Sequence, residues 1–453
     1  MSVNRHRWVL LSLGALIVTS SASIAMLGDL GERTRTMLLL WGAAHAAYLA
    51  AARWVLRTAP AGAEPGAASR APRASGLPIV LAVGLLARAS IIPAPPTLSE
   101  DVYRYLWDGR LVAHGVNPFP HAPSDPALER YHSELIHHLN HAGVPTIYPP
   151  AAQILFGAVA LVSATPLAWK VALLALESIL LYALLDLLRR RGLPSERLLL
   201  YYWNPLVLVE SFGSGHVDLA AAAFLVTMVS LYERKRAAWA GLSFALAVLT
   251  KYVPGLILPW LIRRRAWLLL GVAAVAAALL AAPFLGAGPA LATGLRTYAR
   301  HWEFNGALFH LLRETIDSEI RIRRILAGAG IAATLAIAWR ARSASGAAFA
   351  SMVAFLLLSP TVFPWYAVPV VAFLPLHADW GMLAFSGLLA LSYVPLPLYR
   401  GTGVWTLPGW VLWVEYGGLV GAWALAAAWR LVRAGRKRDQ DRARAWTSES
   451  TPT

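Results

Sequence analysis

The residues from Ser99 to Arg110 read SEDVYRYLWDGR, and they set Glu100, Asp101 and Asp108 beside Arg104, Arg110 and three aromatic rings, directly after an apolar run. On a helix, Asp101, Arg104, Tyr105 and Asp108 fall at i, i+3, i+4 and i+7 and share one face, while Tyr103, Trp107 and Arg110 occupy another. Such a segment can lie as an amphipathic helix at a membrane surface, with its rings at the headgroups and Arg104 bridging the acids. Paired carboxylates at the mouth of a membrane cavity can do more, because they can take a proton from a hydroxyl or bind a metal.

Farther along, ionisable groups interrupt apolar sequence. NPLVLVESFGSGHVDL, Asn204 to Leu219, places Glu210, His216 and Asp218 in or beside an apolar hairpin, where charge is costly enough to mark function. The structural alternatives are that Asp218 caps the next helix and Glu210 pairs with an arginine. Lys251 sits between apolar flanks at a helix break; its ammonium suits a phosphate, or could snorkel to a headgroup. HWEFNGALFHLL, His301 to Leu312, lies in a polar connection with six Arg between 296 and 324. LSPTVFPWYAVP, Leu358 to Pro369, breaks another apolar run beside Trp365 and Tyr366, whose rings suit a membrane interface or stacking on a sugar or prenyl chain. His137, His138 and His141 have helical spacings that can bind zinc, but further ligands are missing and no metal site is assigned. No HExxH, Walker, GxGxxG or GxSxG pattern stands out, so metalloprotease, NTPase, dinucleotide and hydrolase readings lack support.

The elements that must position these groups are membrane helices. The chain has 453 residues, 58% of them hydrophobic and 14% charged, and its apolar runs repeatedly approach the ~20 residues that cross a bilayer. A net charge of +16 sits in short clusters between those runs, as membrane flanks do and a nucleic-acid-binding face does not. With no cysteine, disulfides, iron-sulfur clusters and thiolate catalysis are excluded. The pattern predicts an all-α polytopic protein with about ten to thirteen crossings. Residues 1–96 hold N-terminal spans and a flexible Ala/Pro/Gly linker near 57–76; 97–149 form a large outer loop; 150–430 form the helical core, with a second outer loop near 286–324; 431–453 form a basic, disordered cytoplasmic tail. SASIA near residue 23 resembles a signal-peptide cleavage site, but with so many spans following, an uncleaved first helix is expected.

Clusters at 189–191, 234–236, 263–265, 340–342 and 430–444 mark cytoplasmic ends, whereas the 97–149 loop holds three Arg against six acids, with six of the 12 His, and faces outward. One conflict follows: if 150–165 and 168–188 both cross, Arg189 to Arg191 emerge on the outer side. Segments such as 198–213 and 237–250 reach only ~21 to 24 Å against a ~30 Å hydrocarbon core. Helices broken at Asn204-Pro205, at 214–216 and at 251–254 leave backbone groups unpaired in lipid unless they line a cavity, so the breaks point to a polar site.

The order of motifs resembles the GT-C superfamily of polytopic glycosyltransferases, and within it the bacterial polyprenyl-phosphate-mannose-dependent mannosyltransferases. The pieces are the acidic pair with DGRLVAHGVNPF (108–119), TIYPP (146–150), WNPLVLVESFGSGHVD (203–218), LTKYVPGLILP (249–259), EFNGALF (303–309) and SPTVFPWYAVP (359–369), together spanning roughly 95–375. Three apolar segments precede the acidic loop, where many relatives have one. The resemblance implies transfer of a sugar, mannose by likeness, from a polyprenyl-phosphate donor to a lipid, glycan or protein hydroxyl at the outer face of a bacterial inner membrane, with both termini cytoplasmic and usually with inversion. It implies Asp101 as general base, with Glu100 and Asp108 behind it, and Arg104, Lys251 and His216 as electrostatic aids. Tyr148, Asn204, Glu210, Asp218, Glu303, Asn305, Trp365 and Tyr366 complete the expected substrate contacts. No cofactor is assigned, a divalent cation being left open, and the partners are the donor, the acceptor and membrane lipids, with no nucleic acid. A secondary transporter or flippase for lipid-linked sugars would share the broken helices, Glu210 and Asp218, but would show inverted repeats, and none is visible. A non-catalytic scaffold for envelope enzymes would tolerate an isosteric change at Asp101.

Overall fold

A computed structural model describes residues 3–58 and 76–449, with side chains for 4–58 and 76–432. The flexible linker expected near 57–76 lies almost wholly outside the described residues. The main helices are α1 (Val3–Met26), α2 (Thr34–Thr58), α3 (Leu77–Ile91), α4 (Asp101–Ala113), α5 (Pro150–Ala160), α6 (Pro166–Arg190), α7 (Pro205–Gly213), α8 (Asp218–Glu233) and α9 (Ala237–Thr250). They continue as α10 (Trp267–Ala281), α11 (Thr293–His301), α12 (Glu319–Arg340), α13 (Ala344–Leu358), α14 (Trp380–Leu388), α15 (Leu396–Thr402) and α16 (Gly409–Glu449). No strand occurs among the described residues; isolated bridges join Phe304 and Asn305 to Thr361.

Among the described residues, 6 helices are long and apolar enough to cross a membrane, or 7 if α7 and α8, bent by 119°, are counted as one span. The expected ten to thirteen crossings therefore require shorter apolar helices, such as α3, α9 and α13, to count as spans. The tail expected to be disordered from 431 instead continues α16 as far as Glu449, since that stretch contains no proline and many good helix formers.

The hairpin of α8 and α9 sets the depth of the polar groups. These helices have 16 and 14 residues, about 24 and 21 Å long, so α9 returns nearly to the level at which α8 began. Asp218, first in α8, and Lys251, just past α9, consequently meet although they are 33 positions apart. At the far end of the hairpin the basic clusters gather. Arg191 reaches Glu233 at 2.5 Å and Ser345 at 2.8 Å, Arg234 reaches Asp186 at 2.8 Å, and Arg264 donates to the carbonyls of Ala341 and Arg342.

The conflict over residues 150–191 is resolved by α5. Its 11 residues span only about 16 Å, and Phe156 of α5, Tyr105 of α4 and Trp169 at the start of α6 pack ring against ring. α5 thus packs back against α4, and α6 is the candidate span between the loop and Arg189 to Arg191, which lie at its far end. Tyr105 and Trp107, expected at lipid headgroups, are buried at 1% exposure each: α4 is covered by α5 and by the loop segment around Leu128.

Inside the bundle, Arg88 of α3 and Glu177 of α6 form a two-pronged ion pair at 2.5 and 2.6 Å, both fully buried. Arg88 also donates to the carbonyls of Gly84 and Tyr202, and Tyr201 donates to Glu177 at 2.8 Å. This network fastens the short helical turn before Asn204 to α3 and α6.

Candidate active site

Helix breaks build the site. Asn204 accepts from the Leu206 N–H at 3.0 Å to start α7, whose Leu208–Gly213 stretch is wound as a π-helix that presents Glu210. Gly215 turns the chain with φ +84°, a left-handed conformation that suits glycine, and its carbonyl accepts from the Trp169 indole at 2.7 Å. Pro254 ends the helical path after α9 and leaves Lys251 extended.

Of these breaks, the ones that end at Asp218 and Lys251 line a cavity of about 680 Å³ that opens beside the 97–149 loop. Its other walls are the start of α4, the 140–148 segment, the 302–305 and 363–366 segments and the 396–407 turn. Asp101 opens α4 with its N–H on the Ser99 hydroxyl at 3.2 Å. Its side chain is 37% exposed into the cavity, and the Tyr148 hydroxyl donates to Oδ2 at 3.4 Å. Shielding from bulk water pushes the Asp101 carboxyl up to about 6, against the opposing pull of the Lys251 ammonium. Opposite it, Lys251 Nζ lies 2.5 Å from Asp218 and 4.0 Å above the Tyr366 ring, and the Tyr366 and Tyr298 hydroxyls are bonded to each other.

Among the residues expected from sequence, Glu100, Asp101, Arg104, Tyr148, Asp218, Lys251, Glu303, Asn305, Trp365 and Tyr366 line this cavity. Asp218 does not cap α8; its carboxylate turns to Lys251 instead. Glu210 meets no arginine and accepts from the Tyr393 hydroxyl at 2.9 and 3.1 Å. Glu210 and His216 lie behind the wall, both fully buried, with Trp365 stacked on the imidazole at 3.7 Å.

Asp108 and Asn204 are outside the lining and do structural work. Asp108 accepts from Arg104 at 2.9 Å and Gln153 at 3.1 Å, and Arg104 also donates to the Val144 carbonyl, so α4, α5 and the loop are tied together. Asn204 donates to Ser386 at 3.0 Å, joining α7 to α14. Glu100 accepts from Asn140 at 2.6 Å, and Glu303 pairs with Arg313 at 2.8 Å, both toward the exposed rim.

Glu415 and Tyr393 were not anticipated. Glu415 of α16, fully buried, accepts from Asn305 at 2.7 Å and holds that residue at φ 54°. A carboxylate inside the apolar run 406–430 was signal enough to find it; Tyr393 carries no comparable signal. Among the described residues, no group of three or more His, Asp or Glu is placed to hold a metal ion.

A carboxylate open to the cavity and an ammonium held across from it can respectively accept a proton and stabilise an anion. No curated protein matches the chain. A family model described as "MptA_B_family: Alpha-(1->6)-mannopyranosyltransferase, N-terminal domain" matches residues 9–268, which include Asp101, Tyr148, His216, Asp218 and Lys251. The match bears out the likeness to GT-C mannosyltransferases. With more than half its length matched, the chain belongs to this alpha-(1->6)-mannopyranosyltransferase family.

Proposed function

We propose that the protein transfers mannose from a polyprenyl-phosphate donor to an acceptor hydroxyl, with inversion and with Asp101 as general base. The observation that carries this reading is that Asp101 and Lys251 line one cavity, close enough for the ammonium to act on the carboxylate. The acceptor oxygen attacks the anomeric carbon, the bond from that carbon to the phosphate oxygen breaks, and the hydroxyl proton passes to Asp101. Negative charge gathers on the departing phosphate. Lys251 keeps one donor on Asp218 and has others to offer that charge. A carboxyl near 6 is a stronger base than an ordinary exposed aspartate, and alignment in the cavity supplies the rest.

The family's name supports an α-(1→6) product, and an inverting transfer that gives an α-linkage requires a β-linked donor. The basic clusters gathered away from the loop support a bacterial inner membrane orientation with the cavity on the periplasmic side and both termini cytoplasmic.

In reconstituted vesicles supplied with β-linked polyprenyl-phosphate mannose labelled in the sugar and with octyl α-mannoside as acceptor, wild type should form a labelled α-(1→6) dimannoside, and Asp101→Asn should not. A fully active Asp101→Asn removes the base assignment. Movement of the labelled donor across the vesicle without product favours the flippase reading.

A further inference from the structure

We propose that His216 and Glu210 form a buried proton relay behind Asp101, so that the acceptor's proton is shared with the imidazole while the new glycosidic bond forms. The proposal rests on the reading of Asp101 as general base.

The imidazole lies between two carboxylates, with Nδ1 3.7 Å from Asp101 Oδ2 and Nε2 3.4 Å from Glu210 Oε2. Both ring nitrogens are fully buried and neither has a hydrogen-bond partner. A buried polar group left unsatisfied is uncommon unless it serves a purpose. These separations suit contacts that shorten when a proton enters, as catalytic hydrogen bonds often do between free and working states.

Two features hold the imidazole in this bridging pose. Trp365 is stacked on its face with 12° between the planes, and the Tyr393 hydroxyl donates to both oxygens of Glu210. Because Trp365 separates His216 from the cavity, the imidazole acts through Asp101 and is a positioning residue. It was expected among the substrate contacts, and its burial moves it one step back from them.

The protons balance without a co-reactant. The acceptor O–H breaks and its proton passes to Asp101 Oδ2, then to His216 Nδ1. The resulting imidazolium is paired with the Asp101 carboxylate and faces Glu210. When product and phosphate leave, the proton returns through Asp101 to the phosphate or to cavity water, and the imidazole is neutral again. The charged or titratable groups facing these residues are Lys251 and Asp218 from the hairpin ends, Glu100, Tyr105, Tyr148 and Tyr298 near Asp101, and Tyr393 beside Glu210.

The test uses the full chain in vesicles with polyprenyl-phosphate mannose and octyl α-mannoside. His216→Gln should lower kcat by about 10- to 100-fold, the scale of a lost acid-base contribution, with both KM values within about twofold. It should also lower the solvent deuterium isotope effect on kcat, because the second proton transfer is lost. An unchanged kcat, or a fall in kcat that keeps the wild-type isotope effect, overturns the relay. Should His216→Gln fail to fold, Glu210→Gln carries the test: kcat should fall with KM retained, and a wild-type kcat overturns the proposal. An inactive Asp101→Asn beside a His216→Gln that behaves as wild type removes the relay alone; a fully active Asp101→Asn removes the base and the relay together.

Discussion

Asp101 is the first residue of its helix, with Tyr148 and Lys251 as neighbours and an open face toward the cavity, and its reactivity follows from that position. Its carboxyl is raised to about 6, so below that pH it holds a proton and cannot accept another. The rate should therefore climb as pH rises through about 6 and level off above it, whereas an ordinary exposed aspartate would place the limb near 4. A kcat/KM profile in vesicles checks this, and a limb near 4 would mean that the carboxyl is not shielded. Asp101→Asn should cost about 10²- to 10⁴-fold in kcat, the range for loss of a general base. Glu100, although adjacent in sequence, is held by Asn140 toward the exposed rim, so Glu100→Gln should retain most of the activity.

At the level of elements, the site depends on helices that stop at the right depth. The turn at Gly215 lets α7 and α8 meet at 119°, and a side chain there would adopt a positive φ and crowd Trp169 and Val102, both 3.3 Å from the added carbon. Gly215→Val should destabilise the fold by about 1 to 2 kcal/mol from the backbone conformation alone, read as a lower thermal midpoint in detergent. A second device is the Arg88 and Glu177 pair, whose desolvation is tolerated only because both partners are present. Removing one partner, as in Glu177→Leu, should cost about 3 to 5 kcal/mol, and the double change Arg88→Leu with Glu177→Leu should cost less than the single one. Chemical unfolding of the three variants separates these outcomes; a double variant no better than the single would show that Arg88 matters mainly for its carbonyl contacts to Gly84 and Tyr202.

For the whole molecule, the separation of the basic clusters from the acidic loop predicts its orientation. Because the chain has no cysteine, single cysteines report cleanly: Glu129→Cys should react with an impermeant thiol reagent applied outside intact cells, and Arg236→Cys should react only after the membrane is opened. Equal labelling of both would refute the topology. Hydropathy and charge were enough to read an all-helical membrane protein with a polar site at helix breaks, because lipid leaves a backbone few other options. Residue types in order were also enough to indicate a mannosyltransferase, as the family match bears out. The number of crossings was not legible, since apolar length does not distinguish a span from a helix such as α5 that packs back against α4. Nor were the partners of the charged residues, because Asp218 with Lys251, Arg104 with Asp108 and Glu415 with Asn305 are brought together by helix length and packing. Sequence alone thus determined the medium, the fold class and the chemistry on offer. Tertiary structure decided which carboxylates line the cavity, which of those are already paired and which are locked behind its wall, because burial and pairing are properties of elements packed together.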